Sequence, residues 1–129
     1  MTNILVPALC AGTGGFLGTL LRYGASVVAR SLGIAWPAGT LVSNLAGCLL
    51  IGLIAAWVDR AVSLSPEARV FLATGVCGGF TTMSSFVYET AQFVRDGEIA
   101  PALTYAGVTL VGSFLLFGVG LCLGGAFHR

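Results

Sequence analysis

Charge is what this chain of 129 residues has least of. Only 9% of its residues are Asp, Glu, Lys or Arg, against about a quarter in a soluble domain, which excludes an ordinary water-exposed surface. Lysine is missing altogether, and all six basic residues are arginines. The one histidine, His128, stands one residue from the C-terminus and reads as an interfacial tail residue rather than a ligand. The four cysteines, Cys10, Cys48, Cys77 and Cys122, lie inside apolar runs without CxxC spacing, so packing is expected of them rather than metal binding or a disulfide. No acid–base pair, nucleophile–base pair or phosphate loop emerges, and an enzyme is not expected. A net charge of only +1 gives no reason to expect a nucleic-acid partner. No Lys or Arg precedes Arg22, so the charged start of a cleavable signal peptide is lacking and the first apolar run is expected to be retained.

What the chain has instead is hydrophobic length. Apolar runs cover residues 4–29, 36–58, 70–94 and 99–126. Each exceeds the roughly 20 residues with which a helix crosses about 30 Å of hydrocarbon. Runs this long favour helices over strands, and the short connections hold most of the charge. The expected fold class is therefore an all-α membrane protein, one domain over residues 1–129 with four transmembrane helices.

Four spans place both termini on one side. Arg60, Arg69 and Arg129 then flank that side, Arg30 and Arg95 the other, and Arg22 falls within the first span nearer the other side. The count is three against three, or three against two without Arg22. Orientation follows a Lys/Arg bias, and here the bias is close to zero. A near-balanced small protein of this kind is expected to insert both ways up.

Within the spans, polar and small residues recur at helical spacing. Gly14, Gly18 and Arg22 follow at intervals of four and share a face; such glycines let backbones approach closely. A guanidinium inside a span faces a cavity, a partner or the interface, so both snorkelling and an anion-attracting role are open for Arg22. Thr40, Asn44 and Cys48 line one face of the second span. Asn44 is the only asparagine in a span interior, and its amide either glues helices together or points a donor at a permeating anion. Tyr105, Thr109 and Ser113 form a stripe of hydroxyls down the fourth span, a track able to replace an ion's water shell. Gly120 and Gly124 repeat the packing spacing there. Glu89, near the end of the third span, is either interfacial or part of an ion path.

The third span holds the most informative stretch, Gly75-Val76-Cys77-Gly78-Gly79-Phe80-Thr81-Thr82-Met83-Ser84-Ser85-Phe86. Paired glycines and a run of hydroxyls are weak helix formers, and lipid offers exposed backbone no partner. Irregular backbone at membrane depth is tolerated only where it is buried in protein or lines a wet cavity. A helix broken near the bilayer centre, with an ion site at the break, is expected.

Taken together these residues resemble the Fluc (CrcB) family of fluoride channels. The likeness is carried by Gly14-Gly15-Phe16-Leu17-Gly18 leading to Leu21-Arg22-Tyr23, by Gly39-Thr40-Leu41-Val42-Ser43-Asn44-Leu45-Ala46-Gly47, and by Gly78 through Phe86. The resemblance implies an antiparallel, dual-topology homodimer in the cell's inner (plasma) membrane, with two fluoride pores and passive export of fluoride that relieves its toxicity. It implies a Na⁺ at the dimer interface, held by backbone carbonyls of Gly78 and Thr81. Asn44 would donate to fluoride, and the family's paired phenylalanines fall at Met83 and Phe86. The chain departs from the pattern at Met83, because a thioether lacks the electropositive ring edge of an aromatic. Thr40, Tyr105, Thr109 and Ser113 would complete the pore, with Arg22 and Glu89 at its vestibule. A small multidrug-type exporter is the nearest rival, but its proton exchange needs a carboxylate in the first span, where this chain has none. A non-transporting scaffold, its polar residues serving packing alone, is the other.

Overall fold

A computed structural model describes residues 4–59 and 64–126 of the chain; Arg60, His128 and Arg129 lie outside the described residues. The elements are α1 (Leu5–Ser31), α2 (Ala38–Asp59), α3 (Pro66–Arg69), a π-helical stretch (Val70–Cys77), α4 (Gly78–Phe80), α5 (Met83–Arg95) and α6 (Ile99–Ala126). The segments from α3 to α5 run on as one span, Pro66–Arg95, so among the described residues four helices are long and apolar enough to cross a membrane. The protein is a multi-pass membrane protein.

Span ends follow local chemistry that apolarity alone does not report. The third span begins at Pro66 rather than at residue 70. There the Ser65 hydroxyl accepts from the Ala68 amide at 3.1 Å, with Pro66 opening the helix, a combination that starts helices whatever charges follow. Between α5 and α6 the chain turns in three residues. Gly97 takes a positive φ of 77°, its N–H donates to the Val94 carbonyl at 3.1 Å, and Glu98 N–H donates to the Phe93 carbonyl at 2.8 Å. These bonds satisfy carbonyls left over at the helix end, and only glycine takes that φ without strain.

The helices pack as two glycine-lined pairs. In the α1 seam a Cβ on Gly14 would collide with the Phe71 carbonyl, and one on Gly18 would lie 2.8 Å from the Phe80 nitrogen. In the second pair, α2 against α6, a Cβ on Gly120 would meet the Leu49 carbonyl, and one on Gly124 would lie 2.6 Å from the Ala56 methyl. Backbone contact this close supplies the dispersion attraction that holds helices together where lipid removes the hydrophobic drive between them. The packing expected at Gly14, Gly18, Gly120 and Gly124 is what the structure contains.

The third span is interrupted, but not at the glycine pair. Gly78 and Gly79 are helical, and Gly78 has φ −63° and ψ −38°. The backbone leaves the helix at Thr81 (φ −83°, ψ 156°) and Thr82 (φ −153°, ψ 115°). The glycines serve a different purpose, since a Cβ on Gly79 would collide with the Gly15 carbonyl of α1. The threonines are β-branched and accept extended backbone readily. Thr82 then restarts the helix as a cap, its hydroxyl accepting from the Ser85 amide at 3.2 Å.

Candidate functional site

The break creates backbone groups that a continuous helix would have paired, and side chains from two other helices take them up. From α2, Asn44 Oδ1 accepts from the Thr82 N–H at 2.7 Å, and Asn44 Nδ2 donates to the Thr82 carbonyl at 3.2 Å. The amide therefore clasps Thr82 through both its N–H and its carbonyl. From α1, Arg22 Nε donates to the Gly79 carbonyl at 3.1 Å. In an unbroken helix that carbonyl would accept from residue 83.

Beside the break lies an open cavity of about 450 Å³ whose walls carry no charged side chain. Asn44, Thr109, Ser113, Met83 and Phe86 line it, together with Gly78 and Thr81. Asn44 is 8% exposed. Its oxygen holds the Thr82 N–H and one of its amide hydrogens the Thr82 carbonyl, so the second amide hydrogen is a donor it can offer the cavity. The N-terminus of α5 also opens here, through Thr82 and Met83. The first amides of a helix have no intrahelical acceptor and carry partial positive charge, so this end of α5 offers the cavity donors without a cationic side chain. Phe86 is 8% exposed and Met83 65%. The Phe86 ring packs against Tyr105 with centroids 5.3 Å apart. The Thr109 hydroxyl is buried with no hydrogen-bond partner.

The predicted hydroxyl stripe serves two places. Thr109 and Ser113 reach the cavity at the break, whereas Tyr105, fully buried, donates to Glu89 Oε2 at 2.7 Å. Thr40 donates to the other oxygen, Glu89 Oε1, at 2.7 Å. Glu89 is thus half-buried between two hydroxyls. Rings of Trp36, Phe93 and Phe86 surround Tyr105 at centroid distances of 5.9, 6.1 and 5.3 Å. Thr40 and Glu89 line a second, smaller cavity of about 240 Å³ that also reaches Arg30.

Sequence reasoning named Thr82, Gly79 and Ser43 only within motifs and gave none of them the role it has here. Thr82 was findable, because Thr directly ahead of a helical run is a favoured N-cap residue. Gly79 matters through its carbonyl, which no side-chain pattern reveals. Ser43 is fully buried and its hydroxyl lacks a partner; no spacing rule marks it.

Backbone interrupted inside an apolar span and facing a donor-lined cavity is a feature of membrane proteins that handle ions or small solutes, because lipid tolerates such backbone only where protein buries it or a wet cavity meets it. That is the class this fold and site define. A family model described as CrcB-like protein, Camphor Resistance (CrcB), matches residues 9–121. A protein of Hyphomonas neptunium is 49% identical over 120 residues, covering 91% of this chain and 91% of its own length. One from Thermus thermophilus is also 49% identical over 120 residues, covering 92% and 94%. A third, from Chlorobium phaeobacteroides strain BS1, is 44% identical over 115 residues, covering 89% and 90%. All three relatives bear the name Fluoride-specific ion channel FluC. The chain belongs to the CrcB family.

Proposed function

We infer that this protein is a fluoride-specific ion channel, through which fluoride leaves the cytoplasm down its electrochemical gradient. The observation that carries the reading is the Asn44–Thr82 clasp. It fixes the amide so that its second N–H stays available as a donor to the cavity beside the break. Fluoride is small and strongly hydrated, so a selective path must replace water with donors. Asn44, the hydroxyls of Thr109 and Ser113, the edge of Phe86 and the first amides of α5 are donors of that kind. No carboxylate lines the cavity to repel an anion. The names of the relatives support the ion and the channel mode.

Two finer features belong to the same reading. The Gly78 and Thr81 carbonyls fit a monovalent cation. In a continuous helix they would accept from Thr82 and Ser85, but those amides go to Asn44 Oδ1 and Thr82 Oγ1 instead. Neutral carbonyls suit Na⁺ better than a divalent ion that demands carboxylates. A bound Na⁺ would supply fixed positive charge to offset the cost of an anion in hydrocarbon. Two carbonyls are a partial shell, and a second copy of the chain would complete it. The near-balanced arginines support an antiparallel homodimer in the plasma (inner) membrane.

Proteoliposomes loaded with fluoride or chloride test the reading. Rapid fluoride release with hardly any chloride release is expected, and equal release of both would overturn it. Single cysteines near either terminus, in a background free of native cysteine, should label from both faces of intact cells. Labelling from one face alone would remove dual insertion.

A further inference from the structure

Arg22 has two jobs open to it from sequence, reaching for the interface or attracting anions, and its surroundings favour neither. We propose that Arg22 is a positioning residue, which holds the break in the third span open through the hydrogen bond from its Nε to the Gly79 carbonyl.

Three observations converge. First, the geometry of the break orphans that carbonyl. Its helical partner would be the Met83 amide, which the extended residues Thr81 and Thr82 displace. An unpaired carbonyl inside a membrane protein is strongly unfavourable, and Arg22 Nε at 3.1 Å supplies the donor. Second, α1 is seated so that Arg22 can reach. Gly14, Gly18 and Arg22 share a face, and backbone of α1 lies directly on backbone of the third span, with Gly18 against Val76 and Phe80 and Gly15 against Gly79. The next turn of α1 therefore arrives where the helix of residues 66–80 ends. Third, Arg22 lines neither the 450 Å³ cavity at the break nor the 240 Å³ cavity around Glu89. A residue that attracted anions into the path would be expected on one of those walls.

The break is thus held from two sides by different chemistry. Asn44 clasps its far edge at Thr82, and Arg22 ties down its near edge at Gly79. Without Arg22, the Gly79 carbonyl is free to recapture the Met83 amide, and the helix can close across Thr81 and Thr82.

Side-chain lengths make this separable from a role of charge. Glutamine carries its Nε2 on the fourth side-chain atom position, as arginine carries Nε, so Arg22→Gln keeps the donor at equal reach and removes the charge. Arg22→Lys keeps the charge and places its nitrogen one atom further out. Fluoride flux in proteoliposomes is expected to stay within about twofold of the unmodified protein for Arg22→Gln and to fall about tenfold or more for Arg22→Lys and Arg22→Ala. The deficits should persist at high ionic strength, where an attraction between exposed charges would be screened.

The opposite order, with Arg22→Lys active and Arg22→Gln impaired in a salt-sensitive way, would overturn the proposal. Equal activity of all variants, or equal loss in all three, would overturn it too. The flux arm rests on the fluoride-channel reading, so a second arm does not. Hydrogen exchange of peptides spanning residues 79–86 should change in Arg22→Lys and Arg22→Ala and match the unmodified protein in Arg22→Gln. Exchange unchanged in Arg22→Lys would refute the strut even if the unmodified protein conducted no fluoride.

Discussion

The third and fourth spans carry similar raw material and use it differently. Both mix glycine and hydroxyl residues into an apolar run of about equal length, 30 and 28 residues. Yet α6 continues unbroken from Ile99 to Ala126, while the third span breaks at Thr81–Thr82. Spacing is one reason. In α6 the hydroxyls of Thr104, Thr109 and Ser113 are spread over successive turns, whereas Thr81, Thr82, Ser84 and Ser85 are nearly consecutive. The deeper reason is the presence of outside partners. Asn44 of α2 pairs the Thr82 N–H and C=O and Arg22 of α1 pairs the Gly79 C=O, while the Ser85 N–H is capped within the span by Thr82 Oγ1. A helix in lipid breaks where its neighbours can pair what it releases, and glycine content alone does not decide.

The largest expected effect comes from removing the clasp. Asn44→Leu leaves both polar groups of the Thr82 peptide unpaired, each costing about 1–3 kcal/mol. Thermal unfolding in detergent should register a loss of about 2–6 kcal/mol in sum, and fluoride flux should disappear. Asn44→Asp separates the two roles. It keeps an oxygen for the Thr82 N–H, so stability should fall less. It also replaces the amide donor that Asn44 offers the cavity with a negative charge, so flux should still be lost. Normal flux in Asn44→Asp would take Asn44 out of the ion path and leave it as a structural clasp only.

Next in size is the aromatic wall of the cavity. Phe86→Ile removes a ring that packs on Tyr105 at 5.3 Å and should cost about 1–2 kcal/mol of stability. If the ring edge contacts the ion, flux should fall by about an order of magnitude, more than packing loss alone explains. Met83, much the more exposed of the pair, is flexible and polarisable, and Met83→Phe should preserve or raise flux. Full activity in Phe86→Ile would make both residues core fillers.

How much of this was legible beforehand follows the same contrast. The four spans are readable because apolar length is a one-dimensional signal, and the packing of Gly14, Gly18, Gly120 and Gly124 follows from their spacing. That the third span breaks was readable from residue type. Where it breaks was not, because Gly79 is committed to close approach with Gly15, a contact only the folded chain defines. Asn44 stood out as a lone amide among apolar neighbours, but its partner, a peptide group 38 residues away, has no signature. The stripe Tyr105, Thr109, Ser113 is real as a face of α6, yet Glu89 captures Tyr105 and leaves the other two at the cavity. Spacing along one helix cannot show which other helix meets each step of the stripe.

A glycine exchange tests the packing half of the comparison at smaller amplitude. Gly79→Ala drives a methyl into the Gly15 carbonyl, and backbone there cannot step aside; the α1 seam should open at a cost of about 1–3 kcal/mol. Gly118→Ala, in the unbroken fourth span, meets nothing within 4 Å and should stay within about 0.5 kcal/mol of the unmodified protein. Equal unfolding temperatures for the two variants would mean that the seam does not position the break.

The smallest change in stability, and the sharpest test of α6, is Thr109→Val. The Thr109 hydroxyl is buried, lines the cavity and has no hydrogen-bond partner, an arrangement that costs stability unless something arrives to pair with it. Valine has nearly the same shape and no such group. Replacement should therefore leave thermal stability unchanged or raise it by up to about 1 kcal/mol. If the hydroxyl is kept to meet a dehydrated anion, the more stable variant should nevertheless pass fluoride more slowly, by roughly twofold to tenfold. That divergence between stability and flux is the signature of a polar group held for the ion rather than for the fold. A Thr109→Val protein that is more stable and conducts as before would show that α6 contributes only a wall, and that the donors come from the clasped break and Ser113.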